Sequence, residues 1–262
     1  MSFDWSFFWG RLVDPGEVFL WALVNTIAMA VLAMALGLVI GTIVGFGRLA
    51  PFRAVRFVCA FYVWLVRGIP VLVLLVMFFS GLAAAGFYRF GDLTLFGFTL
   101  TASFQAAVVG LAVHEGAYMG EIVRNGIQAV GKGQIEAAKS IGMSTLQLTY
   151  RITLPQAARV IVPPLGNDFN HMLKTTSLAS VIGVQEIFLV TESLSATTFK
   201  TFELLVAVAL TYLMLTTIWN FVQMWIETRL RRHETSDRMQ RSWRERLSAA
   251  FATNPDGASF RR

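Results

Sequence analysis

The sequence predicts an all-α integral membrane protein with five transmembrane helices and a long cytoplasmic loop. Apolar residues (AVILMFWYC) make up 55% of the 262 residues and charged residues only 15%, against roughly 25% charged residues in ordinary soluble domains. The mean hydropathy is +0.60. The apolar residues occur in long runs, whereas the strands of a transmembrane barrel alternate apolar and polar residues. These observations argue against a soluble enzyme and against a barrel.

The five spans follow from runs of about 20 residues, the length that crosses the hydrocarbon core as a helix. They are predicted at 18–47, 57–81, 101–124, 155–174 and 204–226. The first is too long for a signal-peptide core, and no basic segment precedes it. The fourth is the least apolar, and Pro163 and Pro164 are expected to kink or break it.

The distribution of basic residues predicts the orientation. With the N-terminus outside, the inner segments carry 17 Lys and Arg residues and the outer segments carry four, which satisfies the positive-inside rule. Residues 1–17 are then extracytoplasmic, the C-terminus is cytoplasmic, and the chain belongs to a bacterial inner membrane. The tail 231–262 is basic. It is either an amphipathic helix lying on the anionic inner leaflet or a solvated, disordered segment.

Small residues recur every fourth position in two of the predicted spans. Such stripes let helices approach closely in lipid, where packing drives association. They predict helix packing within the subunit or an interface between subunits. The stripes are Gly37, Gly41 and Gly45 in the first span and Ala112, Gly116 and Gly120 in the third.

The loop 131–155 carries the most specific pattern in the chain. Residues 134–141 predict a short helix with Glu136 in its first turn, where a carboxylate suits the helix dipole, and with Gly142 as its C-terminal cap. A compact apolar face is expected from Ala137, Ala138 and Ile141. Such a helix either docks on a soluble partner or lies on the bilayer.

The spacing of this loop resembles the EAA loop of ABC importer permeases. Glu136-Ala137-Ala138 is followed after three residues by Gly142 and, after nine more, by the pattern I-x-L-P at positions 152–155. Further stretches resemble permeases of the polar amino-acid (histidine/glutamine/glutamate/arginine/opine) type. They are FYVWLVRGIP at 61–70, GAYMGEIVRNGIQ at 116–128 and LKTTSLASVIG at 173–183.

The resemblance implies a type I ABC importer permease fold over residues 18–230 and ATP-driven import of polar amino acids. It implies a second permease subunit (the same or a homologous chain), two ABC ATPase subunits and an extracytoplasmic amino-acid-binding protein. ATP and Mg²⁺ would bind to the partner ATPase, with no cofactor on this chain, and the sequence contains no P-loop motif. The residues implied in ATPase coupling are Glu136, Ala137, Ala138, Ile141 and Gly142.

Polar side chains inside the predicted spans are candidates for the substrate pathway, because such groups are costly in lipid and usually face a cavity or a partner. Arg67 lies about 15 Å into the second span at 1.5 Å per residue, and Glu115 lies in the third. The two are expected to pair, either to recognise both charged ends of an amino acid or as a structural ion pair. His114-Glu115 lacks the second histidine of a zinc-protease motif, so no metal site is predicted.

The fourth span contributes a second polar group. Helical spacing places Asn167, Asn170 and Lys174 on one face and Asp168 and His171 on an adjacent face. These residues either line the translocation path or form hydrogen bonds between helices.

Two other functions are compatible with a polytopic helical chain. An ion-gradient-driven secondary amino-acid transporter would favour internal repeats, and the five spans show none. A non-transporting membrane scaffold would not need polar groups in the second, third and fourth spans.

Overall fold

The computed structural model describes residues 3–95 and 97–252, and for positions 95, 98 and 231–252 it describes the backbone alone. A short antiparallel hairpin pairs β1 (Leu93–Leu95) with β2 (Phe98–Leu100). The α-helices are, in order, α1 (Trp5–Val13), α2 (Glu17–Leu49), α3 (Arg53–Gly68), α4 (Val71–Val76), α5 (Leu82–Ala84), α6 (Ala102–Gln128), α7 (Lys132–Ser140), α8 (Thr145–Leu148), α9 (Leu154–Thr175), α10 (Ile187–Thr198) and α11 (Thr201–Ala252).

Three irregular helical turns connect these elements. Two are π-helical, at Met77–Gly81 and Thr149–Thr153, and one is a 3₁₀-helix at Thr176–Ile182. The described chain divides into two compact units after Asn220. The second unit contains the remainder of α11, in which the Arg229 guanidinium lies 4.7 Å from the centre of the Trp225 ring. The backbone of the predicted tail is helical to Ala252, and positions 253–262 of that tail lie outside the described residues.

Helix α6 lies at the centre of the first unit. It buries 14 of its 27 residues and contacts α2, α3, α4 and α9. The main hydrophobic core joins α2, α4, α6, α9 and the 3₁₀ turn through Met29, Ala33, Leu75, Leu111, Met172 and Ile182. Neighbouring helices cover α6, so its side chains mostly contact protein and not lipid. Helix α6 can therefore carry polar side chains such as Glu115.

The two small-residue stripes pack against each other inside the subunit. A Cβ atom added to Gly37 would lie 2.9 Å from Cβ of Glu115, and one added to Gly120 would lie 2.7 Å from Cγ1 of Val44. The contact is therefore possible only with glycine on both α2 and α6. The helix-packing interpretation of the stripes is confirmed. The subunit-interface interpretation is wrong for these glycines, because the glycines of α2 already contact α6 and those of α6 already contact α2.

Gly41→Ala is expected to destabilise the protein by about 1–3 kcal/mol, the usual cost of overpacking. Its Cβ would lie 2.9 Å from the backbone nitrogen of Gly120, and backbone cannot move aside as a flexible side chain can. Thermal unfolding of the purified chain in detergent would show a lower Tm. Gly10→Ala is the control, since its Cβ meets nothing within 4 Å. Equal Tm values for the two variants would contradict the close approach of α2 and α6.

Among the described residues, length and composition identify two to four helical segments that can cross a membrane. Glu17–Leu49 and Thr201–Leu230 qualify alone, and two bent helix pairs qualify if each is one span. These segments correspond to four of the five predicted spans. The third predicted span corresponds to α6, which is long enough but is not among the helices that qualify by hydropathy and charge.

The second predicted span, 57–81, is wrong as a single helix. Helix α3 and the segment Val71–Ala84 meet at an angle of 105°. Pro70 causes the break, because proline lacks an N–H and disfavours helical backbone at the residue before it. Ile69 is accordingly extended, with φ −103° and ψ 130°.

The predicted break in the fourth span is also wrong. Helix α9 runs from Leu154 to Thr175 with Pro163 and Pro164 inside it. It packs against α6 and α2, and this tertiary packing outweighs the local preference of proline. The α-helix ends at Thr175 and is followed by the 3₁₀ turn Thr176–Ile182. Gly183, whose φ is +80°, caps this turn.

The N-terminal helix α1 is fastened to the start of α11. The Asp4 carboxylate accepts a hydrogen bond from the Phe7 backbone N–H at 3.0 Å and from the Lys200 ammonium at 3.0 Å. The backbone N–H of Asp4 donates to Oε1 of Glu203 at 2.9 Å. The Phe3 ring packs edge-on against the Phe202 ring. Asp4 therefore caps α1 and anchors it at the same time.

Acidification is expected to release α1. The hydrogen bond from the Phe7 N–H and the contact with Lys200 lower the pKa of Asp4 from 3.8 to about 2. Because the folded pKa is the lower one, this contribution to stability is present above about pH 4 and is lost as the pH falls towards about 2. Hydrogen exchange of residues 3–13, corrected for intrinsic rates, should rise across this window. In the Asp4→Asn variant, hydrogen exchange of residues 3–13 should already be faster at neutral pH. In the Asp14→Asn variant, it should match that of the natural chain. Unchanged protection at pH 2 would contradict the anchor.

Candidate functional site

Glu115 is the most unusual side chain in the described part of the chain. It is only 5% exposed, and its Oε1 atom has no hydrogen-bond partner there. Asp168 on α9 is close enough for the two charges to interact. A buried carboxylate without a partner is costly. Glu115 is therefore a candidate for contact with a positively charged group from outside the chain.

Other polar side chains gather around Glu115. The His114 and Tyr118 rings lie 5.0 Å apart, and the Arg67 guanidinium lies 4.8 Å from the centre of the Tyr118 ring. His171 interacts electrostatically with both His114 and Asp168. Three helices, α3, α6 and α9, thus contribute to one polar cluster, which we define as Arg67, His114, Glu115, Tyr118, Asp168 and His171.

The predicted ion pair between Arg67 and Glu115 is wrong. Within the described residues Arg67 is exposed and rests on Tyr118, whereas Glu115 is buried beside Gly37. The bend after Arg67 accounts for the difference, because it ends α3 one residue later. The Tyr62 hydroxyl holds α3 against α6 by donating to the Val113 carbonyl at 2.6 Å.

The remaining polar residues of α9 do not all join the cluster. Asn170 donates to Oδ1 of Asn220 on α11 at 2.6 Å, which supports the interhelical hydrogen-bond interpretation for this residue. The Trp219 indole N–H on α11 likewise donates to the Gly166 carbonyl at 2.7 Å. Asn167, His171 and Lys174 are exposed, and Asp168 is half-buried. Of these α9 residues, Asp168 and His171 join the cluster, and the lining of the translocation path by α9 stays a prediction.

Two residues of interest were missed by sequence reasoning. Tyr118 lies one helical turn after His114, and this spacing was a usable signal for a shared face. Glu186 is completely buried and caps α10 by accepting hydrogen bonds from the Phe188 and Leu189 backbone N–H groups, at 2.9 and 2.7 Å. A third donor, the Tyr212 hydroxyl, contacts Oε2 of the same carboxylate at 2.9 Å. Glutamate is not among the preferred N-cap residues, so no local signal pointed to Glu186.

Helix α7 forms the short helix of the loop. Gly142 follows it with φ +78°, a conformation that glycine adopts without steric cost. Its N–H donates to the Lys139 carbonyl at 2.9 Å, and the next N–H, from Met143, donates to the Ala138 carbonyl at 3.1 Å. Gly142 therefore caps α7, as predicted.

The details of α7 differ from two expectations. The helix begins at Lys132, so Glu136 is its fifth residue and not in its first turn. The expected compact apolar face is also wrong, because Ala138 is 5% exposed and faces the chain while Ile141 is 78% exposed. Ala137 and Glu136 are exposed as well, so α7 presents a free outer surface.

The loop is connected to the polar cluster through α9. Gln156, near the start of α9, donates to Oε1 of Gln134 on α7 at 2.5 Å. The same α9 carries Asp168 and His171. Movement of α7 would therefore act on the helix that forms one side of the cluster. Among the described residues, no group of three or more His, Cys, Asp or Glu side chains is arranged to bind a metal ion.

A helical core with lipid-exposed apolar surfaces, an internal polar cluster and a short exposed loop helix defines a membrane permease subunit. The chain belongs to the family described as binding-protein-dependent transport system inner membrane component, whose model matches residues 18–232. It is a transport subunit and not an enzyme.

Individual relatives agree with this family. The arginine transport system permease protein of Corynebacterium glutamicum is 37% identical over 219 residues, which cover 82% of this chain and 68% of that protein. The glutamine transport system permease protein of Escherichia coli K12 is 33% identical over 234 residues, covering 88% and 99%. In an amino acid ABC transporter solved with histidines, one chain is 30% identical with a TM-score of 0.75, covering 87% of this chain and 100% of that one.

Proposed function

We propose that this chain is the membrane-spanning permease subunit of an ATP-driven ABC importer that moves polar amino acids. The relatives named above are amino-acid permeases, which supports the substrate class. The observation that carries the proposal is the buried side chain of Glu115 inside the polar cluster, whose Oε1 atom has no hydrogen-bond partner among the described residues. A non-transporting scaffold would not need such a polar group inside the helical core.

The cluster offers groups for both charges of an amino acid. Glu115, with Asp168 nearby, accepts hydrogen bonds from an ammonium or another cationic group of the substrate. The Arg67 guanidinium is exposed on the same cluster and presents N–H donors that suit a carboxylate. The Tyr118 ring lies against both the Arg67 guanidinium and the His114 ring.

The outer surface of α7 is proposed as the coupling surface for the ATPase. Its exposed Glu136, Ala137 and Ile141 would contact that partner, while Ala138 and Gly142 fix the helix to the chain and set its end. ATP and Mg²⁺ would bind to the ATPase. Closure of two ATPases would move α7, and the Gln134–Gln156 hydrogen bond would transmit this movement to α9 and the cluster.

The proposed topology has five spans within 18–230, an extracytoplasmic segment 1–17 and a basic cytoplasmic tail 231–262. The charge asymmetry supports this orientation. The bond from Lys200 to Asp4 supports a topology in which the N-terminal segment and the α10–α11 connection are on the same side of the membrane. The assembly would contain a second permease subunit, two ATPases and an extracytoplasmic binding protein.

The test is ATPase stimulation in nanodiscs that contain the permease and its partner ATPase. Binding proteins loaded with single polar amino acids are added in turn, with a sugar-loaded binding protein as the control. We expect stimulation by at least one amino-acid-loaded protein and none by the control. Failure of the permease to assemble with any ABC ATPase, together with uptake in its absence, would favour the ion-gradient-driven alternative.

A further inference from the structure

We propose that the cavity beneath α1 is a binding site for an anionic phospholipid, with an acyl chain inside the cavity and the phosphate on Arg11. This site is separate from the polar cluster and from α7, and nothing in the transport proposal requires it. It depends only on the chain lying in a membrane.

The cavity lies between α1, α2, α10 and α11 and has a volume of about 460 Å³. This volume is within the range of about 300–1,000 Å³ that is typical of ligand pockets. Its walls are largely apolar and include Leu12, Phe19, Leu23, Leu204, Ala207 and Val208. A polar amino acid would lose its hydration there without gaining hydrogen bonds, whereas a hydrocarbon chain would not.

Arg11 supplies the charge at the edge of this cavity. It is half-buried, its guanidinium lies 5.6 Å from the centre of the Phe7 ring, and it forms no ion pair with the described residues. It also borders a second cavity of about 390 Å³, which Glu17 lines as well. Glu17 does not pair with Arg11, so the guanidinium donors remain available for a phosphate, which suits them geometrically.

The cavity is open towards the surface that faces lipid. Leu20 and Met214, on α2 and α11, line it and are 51% and 53% exposed. An acyl chain can therefore enter sideways from the bilayer. Trp5 and Trp9 project from α1 and are 63% and 54% exposed. Tryptophan prefers the membrane–water interface, which places the α1 residue Arg11 at the depth of the lipid headgroups.

Photocrosslinking of the assembled transporter in proteoliposomes tests the site. The probe is phosphatidylglycerol with a diazirine near the end of one acyl chain, and labelled peptides are identified by mass spectrometry. We expect labelling of cavity residues on α2 and α11. Arg11→Gln should lower this labelling about five-fold, as expected for the loss of one cation beside an anionic lipid. Arg89→Gln removes another exposed arginine outside the cavity and should have no effect.

A second variant tests the cavity itself. Ala207→Trp fills it and should abolish labelling at α2 and α11, while the phosphatidylcholine version of the probe should label the natural chain about five-fold less. Unchanged labelling in both Arg11→Gln and Ala207→Trp would overturn the proposal. The proposal would also be overturned if this face formed crosslinks to a second permease copy without the lipid probe. Neither readout uses transport activity, so failure here is distinguishable from failure of the importer proposal.

Discussion

Gly142→Val is expected to lower ATP-driven uptake about ten-fold or more while the complex still reaches the membrane. Gly142 has φ +78°, where an L side chain costs roughly 1–2 kcal/mol and a β-branched one is a genuine outlier. Each 1.4 kcal/mol is about a ten-fold change in population. The Cβ would meet nothing within 4 Å, so the effect acts on the backbone at the end of α7. Uptake and substrate-stimulated ATPase activity are measured in proteoliposomes.

The control is Gly133→Ala, a glycine substitution inside α7. Gly133 lies inside α7, its φ is not positive, and its Cβ would also meet nothing within 4 Å. Alanine should therefore leave uptake unchanged. Glu136→Lys changes charge on the outer surface without changing the backbone and should uncouple hydrolysis from uptake. Full activity in both Gly142→Val and Glu136→Lys would contradict the assignment of α7 as the coupling helix.

Glu115→Gln is expected to reduce uptake between about 10- and 100-fold without lowering stability. Hydrogen bonds to charged groups contribute about 1.5–3 kcal/mol, and the amide keeps the shape of the side chain while removing its charge. Because Oε1 is buried and has no partner among the described residues, no hydrogen bond from this atom that holds the fold together is lost in the amide. The Tm of the purified subunit should therefore stay the same or rise.

Two measurements on the same variant separate function from structure. Substrate-dependent uptake is measured in proteoliposomes, and Tm is measured in detergent. Glu192→Gln is the control, since Glu192 is an exposed glutamate on α10 and should affect neither. A lower Tm with normal uptake would show that Glu115 has a structural role and would remove it from the substrate pathway.

The main helices could be predicted because their signals are local. The uncharged run that became α2 exceeds the length of one membrane crossing, and the four-residue spacing of its glycines required a close neighbour. The cap at Gly142 followed from its position after a short apolar pattern. In each of these cases the information lies within a few turns of chain.

The arrangement of the polar residues could not be predicted in the same way. Pairing Arg67 with Glu115 assumed one straight second span, but Pro70 turns the chain through 105° and leaves Arg67 on Tyr118. Conversely, α9 remains helical through Pro163 and Pro164 because it is packed against α6 and α2. The predicted start of α7 at position 134 is two residues late, because Gly133 is accommodated inside the helix, which begins at Lys132.

Accumulation of a labelled amino acid against its gradient tests the central claim most directly. Proteoliposomes would contain the permease, its partner ATPase and external loaded binding protein, with ionophores present to remove ion gradients. We expect accumulation only with ATP on the ATPase side and none with an ATPase whose hydrolysis is blocked by mutation. Accumulation driven by an imposed ion gradient, by the permease alone and without ATP, would contradict the account.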